Sequence, residues 1–395
     1  MTHEAQVPMP LKGVRVVEFT HMVMGPAAGA MLASLGADVV RIEPVGGDST
    51  RRLLGSGAGY FPMYNRHKAS VCLDLKREDG LAIARDLAAN ADVLIENFRP
   101  GALDRLGLGY EALSAINPGL IYCSEKGFLP GPYENRTALD EVAQMMGGLA
   151  YMTGPPGRPL RAGASVIDVT GGMFGVIAIL AALNERHSTG RGQMVQSALF
   201  ETTVYLIGQH MAQKAVTGRA ADPMPARISA WAIYDVFETR DDPIFIGVVT
   251  DGLWEKFCKL FGLDDLWADE SIRANNARVQ ARDRILPRIR ELIAGFTRAE
   301  LIDRLEGSGL PFAPIARPQD MFDDPHLNAS GGLEPVTMTD GTETALPSLP
   351  IMMDGRRPGI NSTLPEPGAD TRSVLARLGY SDERIEELLA AGAIG

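Results

Sequence analysis

The chain has 395 residues, of which 45% are hydrophobic and 22% are charged, a balance typical of a globular protein large enough for two domains. Its formal net charge of −11 argues against a general nucleic-acid or anionic-membrane binder, because such proteins are expected to be basic. The three cysteines, Cys72, Cys123 and Cys258, are far apart and form neither a disulfide framework nor a metal motif, which indicates a reducing compartment.

The first residues lack the apolar core of a signal peptide. The longest apolar stretch, residues 173–183, is too short to span a bilayer. None of the six histidines stands at the spacing of a metal-ligand pair, so no metal site is expected. The sequence therefore predicts a cytoplasmic protein with no nucleic-acid or membrane partner.

The first 130 residues alternate short β-branched runs with helical patterns. A strand at 13–20, a helix at 25–37 and a strand at 38–44 make a βαβ unit, which is usually right-handed and parallel. The alternation predicts an α/β fold with an open Rossmann-like parallel sheet. Further strands are expected at 70–75, 92–98 and 119–127, and further helices at 77–91, 171–192 and 195–218.

The pattern changes after a Pro-rich stretch near residue 220, where strands precede several amphipathic helices. This change predicts a second, smaller α+β domain. The expected organisation is a large domain over 1–215, a linker over 216–230, the small domain over 231–325, a linker over 326–345, and a C-terminal segment over 346–395 that returns to the large domain.

Basic residues gather directly after the predicted strands. Ligands of open α/β sheets bind at the carboxyl ends of the strands, and arginine and lysine are common partners of phosphate groups. In an acidic chain this bias predicts a phosphate-rich ligand. The segment after the first strand lacks the G-x-G-x-x-G pattern, which argues against a dinucleotide. The residues concerned are Arg41, Arg51, Arg52, Arg66, Lys68, Lys76, Arg77, Asn97, Arg99 and Arg105.

One carboxylate, Asp168, stands just before a long apolar helical run. It either caps the helix, which is worth about 1 kcal/mol, or it takes part in chemistry. Gly171 and Gly172 follow at once and weaken a first helical turn, which favours close approach of a substrate to the backbone. No G-x-S-x-G motif and no Cys–His pairing is present, so an obvious serine or cysteine nucleophile is not expected.

The chain resembles the class III CoA-transferases, a family that includes carnitine CoA-transferase, formyl-CoA:oxalate CoA-transferase and the α-methylacyl-CoA racemases. Several motifs occur in one order almost from end to end, and they are closest to the formyl-CoA:oxalate type. Among them are "GVRVVEFTHMVMGPAAG", "NRHKASVCLDLK", "DVLIENFRPGALDRLGLGYEAL", "DEVAQMMGGLAYMTG" and "GASVIDVTGGMFG". The resemblance implies a homodimer in which each chain forms a ring interlocked with the other.

The resemblance also implies roles for individual residues. Asp168 falls on the catalytic aspartate, which would carry the acyl group as a mixed anhydride and then CoA as a thioester. CoA and acyl-CoA would act as substrates, together with a carboxylic acid, and no cofactor would be permanently bound. His21, Met22 and Val23 fall near the CoA thiol. Arg41, Leu73, Lys76, Asn97, Phe98 and Arg105 fall on positions for the nucleotide and pantetheine. Asp140 falls on an acidic active-site position, with Arg136, Gly171 and Gly172 also near the substrate.

Two departures from the family pattern bear on the reaction. The racemase branch has a histidine where this chain has Leu139, and racemisation needs two bases, so Leu139 argues against a 2-methylacyl-CoA epimerase. The glycine run that shields the active site of formyl-CoA transferases does not occur between residues 215 and 250, which argues against formyl and oxalate as substrates. A non-catalytic CoA-binding paralogue is the remaining alternative, and retention of Asp168 with its two glycines argues against it.

Overall fold

The computed structural model describes residues 9–227, 229–359 and 362–395. The chain divides into two compact units, with borders after Pro225 and after Asp324. The small unit comprises residues 226–324. The large unit comprises the residues before and after it in the sequence.

The large unit is built on a six-stranded, fully parallel sheet, which confirms the predicted α/β class. The strand order is β3-β2-β1-β4-β5-β6, the order of a Rossmann sheet. The strands are β1 (Arg15–Phe19), β2 (Asp38–Glu43), β3 (Ala69–Cys72), β4 (Val93–Glu96), β5 (Ile121–Lys126) and β6 (Met194–Ala198).

Nine helices of the large unit precede the small unit within the described residues. They are α1 (Met24–Ser34), α2 (Tyr60–Tyr64), α3 (Glu78–Ala89), α4 (Tyr110–Ile116), α5 (Asp140–Met146), α6 (Leu149–Thr153), α7 (Val166–Thr189), α8 (Leu199–Leu206) and α9 (Gly208–Thr217). Residues 195–218, predicted as one helix, instead contain the end of β6 followed by α8 and α9. The prediction is wrong there because a five-residue edge strand is too short to show its own periodicity.

The sheet has an apolar layer on each face because side chains of a strand alternate between faces. Val16 of β1 lies in the core beneath α1 and α7, together with Leu32 and Ile179. Its neighbour Val17 lies in the opposite core, with Leu87 of α3. The starts of α1 and α7 therefore lie on the same face of the sheet.

Helix α7 is longer than the apolar stretch that the sequence suggested. It has 24 residues, and an 18-residue window has a mean hydropathy of 2.1, so by length and composition alone it could cross a membrane. Its residues Val176, Ile179 and Leu183 pack in the core between α1 and the sheet. A buried core helix meets the same test, and α7 occupies that position here.

The small unit contains an antiparallel sheet in the order β7-β8-β9, packed against helices. Its core is centred on the fully buried Trp254 and Phe257. The elements are β7 (Ile233–Phe237), β8 (Ile244–Val248), α10 (Asp251–Phe261), α11 (Asp264–Ala268), α12 (Asn275–Gln280), α13 (Arg282–Ala294), α14 (Arg298–Leu305) and β9 (Phe312–Pro314).

The remaining elements belong to the large unit. They are α15 (Pro325–Ala329), β10 (Leu333–Thr337), β11 (Glu343–Pro347), β12 (Ser362–Thr363), α16 (Thr371–Arg377) and α17 (Asp382–Ala390). Residues 326–345, predicted as a linker, contain most of α15, all of β10 and the first part of β11. The alternation of apolar and polar residues in this stretch is short and is interrupted by glycines, so the stretch resembles a loop in the sequence. Helices α16 and α17 pack on the core beside α3.

Candidate active site

Four helices of the large unit begin near one place. Met24 at the start of α1, Ile167 in the first turn of α7, Ala143 of α5 and Leu199 of α8 form a small apolar cluster. Each of α1, α5, α7 and α8 approaches this cluster with its amino end, so the first turns of four helices lie close together. Asp140 and Asp168 both lie in these first turns.

Asp140 is the side chain that caps α7. Its Oδ2 accepts hydrogen bonds from the backbone N–H of Ile167 (2.9 Å) and of Asp168 (3.2 Å), and its side chain is buried. Ser165, the residue in the N-cap position, makes no side-chain cap. The first turn of α7 is therefore satisfied by a carboxylate from another helix, which settles the cap question raised by the sequence: Asp168 is not needed for that task.

The Asp168 carboxylate makes no hydrogen bond to any residue that the structure describes, although it is only partly exposed. Burial, together with the negative charges of Asp140 and Glu141, raises the pKa of Asp168 to about 7, while Arg161 acts in the opposite direction. An unbonded, partly desolvated carboxylate is a better nucleophile than a hydrated one, because fewer interactions must be broken before it attacks.

Arg161 is a site residue that the sequence analysis missed. Its guanidinium lies 3.7 Å from Asp140 Oδ1, is paired with Glu141, and donates to the Ala164 carbonyl at 3.1 Å. Gln144 of α5 also accepts from the N–H of Ala162 at 2.8 Å. The loop that leads into α7 is thus attached to α5, and no local pattern around Arg161 signals this role.

The two glycines after Asp168 have a packing role. A Cβ on Gly172 would lie 2.7 Å from the Met24 carbonyl oxygen, and one on Gly171 would lie 2.7 Å from the Met24 Cε. Helix α1 therefore occupies the space in which the sequence analysis placed the substrate. That expectation is corrected: the glycines allow α1 and α7 to approach closely, and this contact holds Asp168 beside the start of α1.

A second unexpected carboxyl lies beneath α7. Glu125 of β5 is 1% exposed, and neither of its oxygens has a hydrogen-bond partner among the residues that the structure describes. Gly175 of α7 leaves the space that this side chain fills. Burial raises the pKa of Glu125 to about 8, and nearby carboxylates, including Asp168, contribute in the same direction. Glu125 is therefore mainly protonated at neutral pH.

His21, Asn97 and Phe98 come together at the carboxyl ends of β1 and β4. The Asn97 side chain accepts from the His21 N–H at 3.0 Å and donates to the His21 carbonyl at 2.9 Å. The Phe98 ring stacks on the His21 ring with centroids 5.4 Å apart. Met22, partly exposed, has a φ of 64°, which is uncommon for a residue other than glycine, and Val23 is buried at the start of α1.

The predicted nucleotide-binding residues separate into exposed and buried ones. Lys76 and Arg105 are exposed, after β3 and in the loop after β4. Arg41 is 1% exposed and is paired with Glu18 (3.1 Å) and Asp48 (2.9 Å), so the expectation that it contacts a phosphate is corrected. The Leu73 side chain is also in the core, so a contact of Leu73 with CoA would have to be made by its backbone. Arg51, Arg66 and Lys68 are likewise occupied in internal pairs.

The segment before α5 is open to solvent. Arg136 is exposed and lies over the Tyr133 ring at 5.0 Å, and Leu139 is 58% exposed in the N-cap position of α5. Leu139 offers no proton acceptor where a racemase would need a base. Across the described ranges, no group of three or more His, Cys, Asp or Glu side chains is arranged to hold a metal ion.

Comparison with known proteins shows the family. The family model "CoA-transferase family III" matches residues 11–371. A succinate–glutarate CoA-transferase of Agrobacterium fabrum is 34% identical, with 93% of this chain and 96% of the relative covered. A formyl-CoA:oxalate CoA-transferase of Streptomyces avermitilis is 32% identical, with 97% and 99% covered. The crystal structure of a CAIB/BAIF family protein from Brucella suis superposes with a TM-score of 0.82 at 34% identity, covering 94% of this chain and all of that one. With a whole-length match in both sequence and fold, the chain belongs to CoA-transferase family III and is a CoA-transferase.

Proposed function

We propose that the protein moves CoA from an acyl-CoA to a free carboxylic acid and that Asp168 is the nucleophile. The observation that supports this assignment is that two neighbouring aspartates have different roles. Asp140 accepts the helix-capping hydrogen bonds, and the Asp168 carboxylate is left partly desolvated with no hydrogen bond to the described chain.

The reaction proceeds through two exchanges at the Asp168 carboxyl. Its carboxylate attacks the thioester carbonyl, the C–S bond breaks, and a mixed anhydride and CoA thiolate form. The thiolate then attacks the aspartyl carbonyl, which releases the donor acid as a carboxylate and leaves an aspartyl-CoA thioester. The acceptor carboxylate repeats the two steps in reverse order, so no net proton is taken up or released.

The surrounding residues support these steps. Each tetrahedral intermediate carries an oxyanion, and one preorganised N–H donor is worth about 3–4 kcal/mol. Helix α1 covers Gly171 and Gly172, so their N–H groups are poor candidates for this donor. The left-handed turn at Met22 is the better candidate to direct a backbone N–H toward the oxyanion. His21 and Phe98 provide a stacked wall for the thiol end of CoA, and Lys76 and Arg105 provide exposed cations for its phosphates.

A second copy of the chain is expected to complete the enzyme. Large apolar side chains are exposed on several of the helices from α5 to α9, and exposed apolar residues that cluster in this way often mark an interaction surface. We propose that this surface is covered in an interlocked homodimer, which would also keep water from the anhydride. Light scattering of the purified protein should give a dimer, and a monomer at working concentration would contradict the proposal. The side chains are Met145, Met146, Tyr151, Met173, Ile177, Tyr205, Leu206, Met211 and Val216.

The acids exchanged are proposed to be short dicarboxylic acids. The support is the names of the two relatives, one a succinate–glutarate and one a formyl-CoA:oxalate CoA-transferase. Because the shielding glycine run is missing, succinate-like acids are favoured over oxalate. A panel of acyl-CoA donors and acids, read by mass spectrometry, should give turnover with dicarboxylates and little with monocarboxylates of equal length.

Trapping tests the role of Asp168 directly. The protein is incubated with acyl-CoA and no acceptor, so that the aspartyl thioester accumulates, and is then treated with hydroxylamine. The peptide that contains Asp168 should carry a hydroxamate. The variant Asp168→Asn should show neither label nor transfer, because an amide cannot form the anhydride. A label on another peptide during active turnover would refute the assignment.

A further inference from the structure

A buried ion pair fixes the turn that follows β4. Glu96, 3% exposed, accepts hydrogen bonds at Oε1 from Ser124 Oγ (2.6 Å) and Lys126 Nζ (2.5 Å), and at Oε2 from the Phe98 N–H (3.0 Å). Lys126 Nζ also donates to the Phe98 carbonyl at 2.7 Å. The two side chains of the pair therefore hold both backbone polar groups of Phe98.

The held turn carries the residues that contact His21. Asn97 binds the His21 backbone through both a donor and an acceptor, and the Phe98 ring stacks on the His21 ring. No described contact of Glu96 or Lys126 reaches His21 itself. A shift of the turn would move Asn97 and Phe98 together, and His21 would follow because its backbone has no other side-chain partner in the described chain.

We propose that Glu96 and Lys126 are positioning residues that set the His21–Asn97–Phe98 wall for the CoA thiol end. This inference rests on the proposed function, which places CoA against that wall. The charges matter because hydrogen bonds between ionised groups are roughly twice as strong as neutral ones. They matter more where the side chains are only 12% and 5% exposed, since little water screens them there.

A purely structural role explains the arrangement less well. Replacing a buried ion pair by apolar groups of similar size is often neutral or stabilising, so stability alone does not require this pair. The pairing of β4 with β5 is already fixed by the backbone ladder from Val93 to Glu96. Glu96 also accepts from Ser124, its partner in the ladder, but the hydrogen bonds of Glu96 and Lys126 to Phe98 lie beyond the ladder, at the turn itself.

The first test is Glu96→Gln, with kinetics and calorimetric CoA binding. We expect the KM for acyl-CoA and the Kd for CoA to rise about tenfold, as for the loss of a charged hydrogen bond. The KM for the acceptor acid should stay within about twofold, because the acid itself does not bind against the wall. Glu43→Gln is the control: Glu43 is 1% exposed and paired with Arg51 at the end of β2 but does not touch the turn. It should lower the Tm without changing CoA affinity.

The double variant Glu96→Gln with Lys126→Met separates positioning from folding. It removes the unpaired cation, so the Tm should recover while the weakened CoA binding persists. Recovery of CoA affinity together with the Tm, or wild-type affinity in Glu96→Gln, would overturn the inference. CoA binding by the wild-type chain without any transfer would overturn only the proposed function, and absence of CoA binding would overturn both.

Discussion

Asp168→Asn should stabilise the protein while it abolishes transfer. The folded protein raises the pKa of Asp168 from 3.8 to about 7, chiefly by burial and by the charges of Asp140 and Glu141. The folded state therefore binds a proton on this group more tightly than the unfolded chain does. This contribution to stability is present at low pH and is lost as the pH rises toward 7.

The size of the effect follows from the shift. At about 1.4 kcal/mol per pKa unit, the full difference corresponds to about 4 kcal/mol above pH 7. Asp168 is partly exposed, and solvent screening reduces this figure, so we expect about 2 kcal/mol. The isosteric amide carries no charge at any pH. The stability advantage of the variant should therefore be near zero below pH 4 and should grow between pH 4 and pH 7.

Urea unfolding of both proteins at pH 5, 6, 7 and 8 measures this difference, with equal protomer concentration because a dimer links stability to concentration. The matched control is Asp370→Asn, another partly exposed aspartate, which accepts from the Ser70 N–H and lies outside the active site. If the stability of Asp168→Asn relative to the wild type does not increase from pH 5 to pH 8, the conclusion that the Asp168 carboxylate is desolvated is wrong, whatever the activity of the variant.

The remaining predictions concern acid strength and packing. In the wild type, kcat/KM should fall about tenfold per pH unit below pH 7, because Asp168, as the proposed nucleophile, must be ionised to attack; a flat profile from pH 5 to pH 7 would contradict this. Asp140→Asn removes a negative charge near Asp168. The pH below which kcat/KM falls should therefore decrease by about one unit, measured in the same profile. Gly172→Ala places a Cβ against the Met24 carbonyl and should cost about 1–3 kcal/mol in urea unfolding, whereas Gly59→Ala, with open space around it, should not.

The parallel sheet was predictable because its signals are local. β-branched runs bounded by helical patterns mark β1 to β5 within a few residues each, and the sheet that they form brings the strand ends together. The edge strand β6 has five residues and no such boundary, so it was read as part of a helix. Asp168 could be selected as a candidate from its position alone, since a carboxylate before a buried run needs an explanation.

The partners of charged residues were not predictable. Arg41 and Lys76 both follow strands, yet Arg41 lies inside with Glu18 and Asp48, while Lys76 is exposed. The difference depends on carboxylates brought near by the fold, which the linear spacing does not report. The cap on α7 comes from Asp140, 28 residues earlier, and for the same reason the sequence left open whether Asp168 was the cap.

Asp140 both caps α7 and raises the pKa of Asp168. It is itself buried and bonded to the backbone, so an isosteric exchange at position 140 would change that pKa from within the core. The ionisation of Asp168 thus depends on a residue that solvent barely reaches.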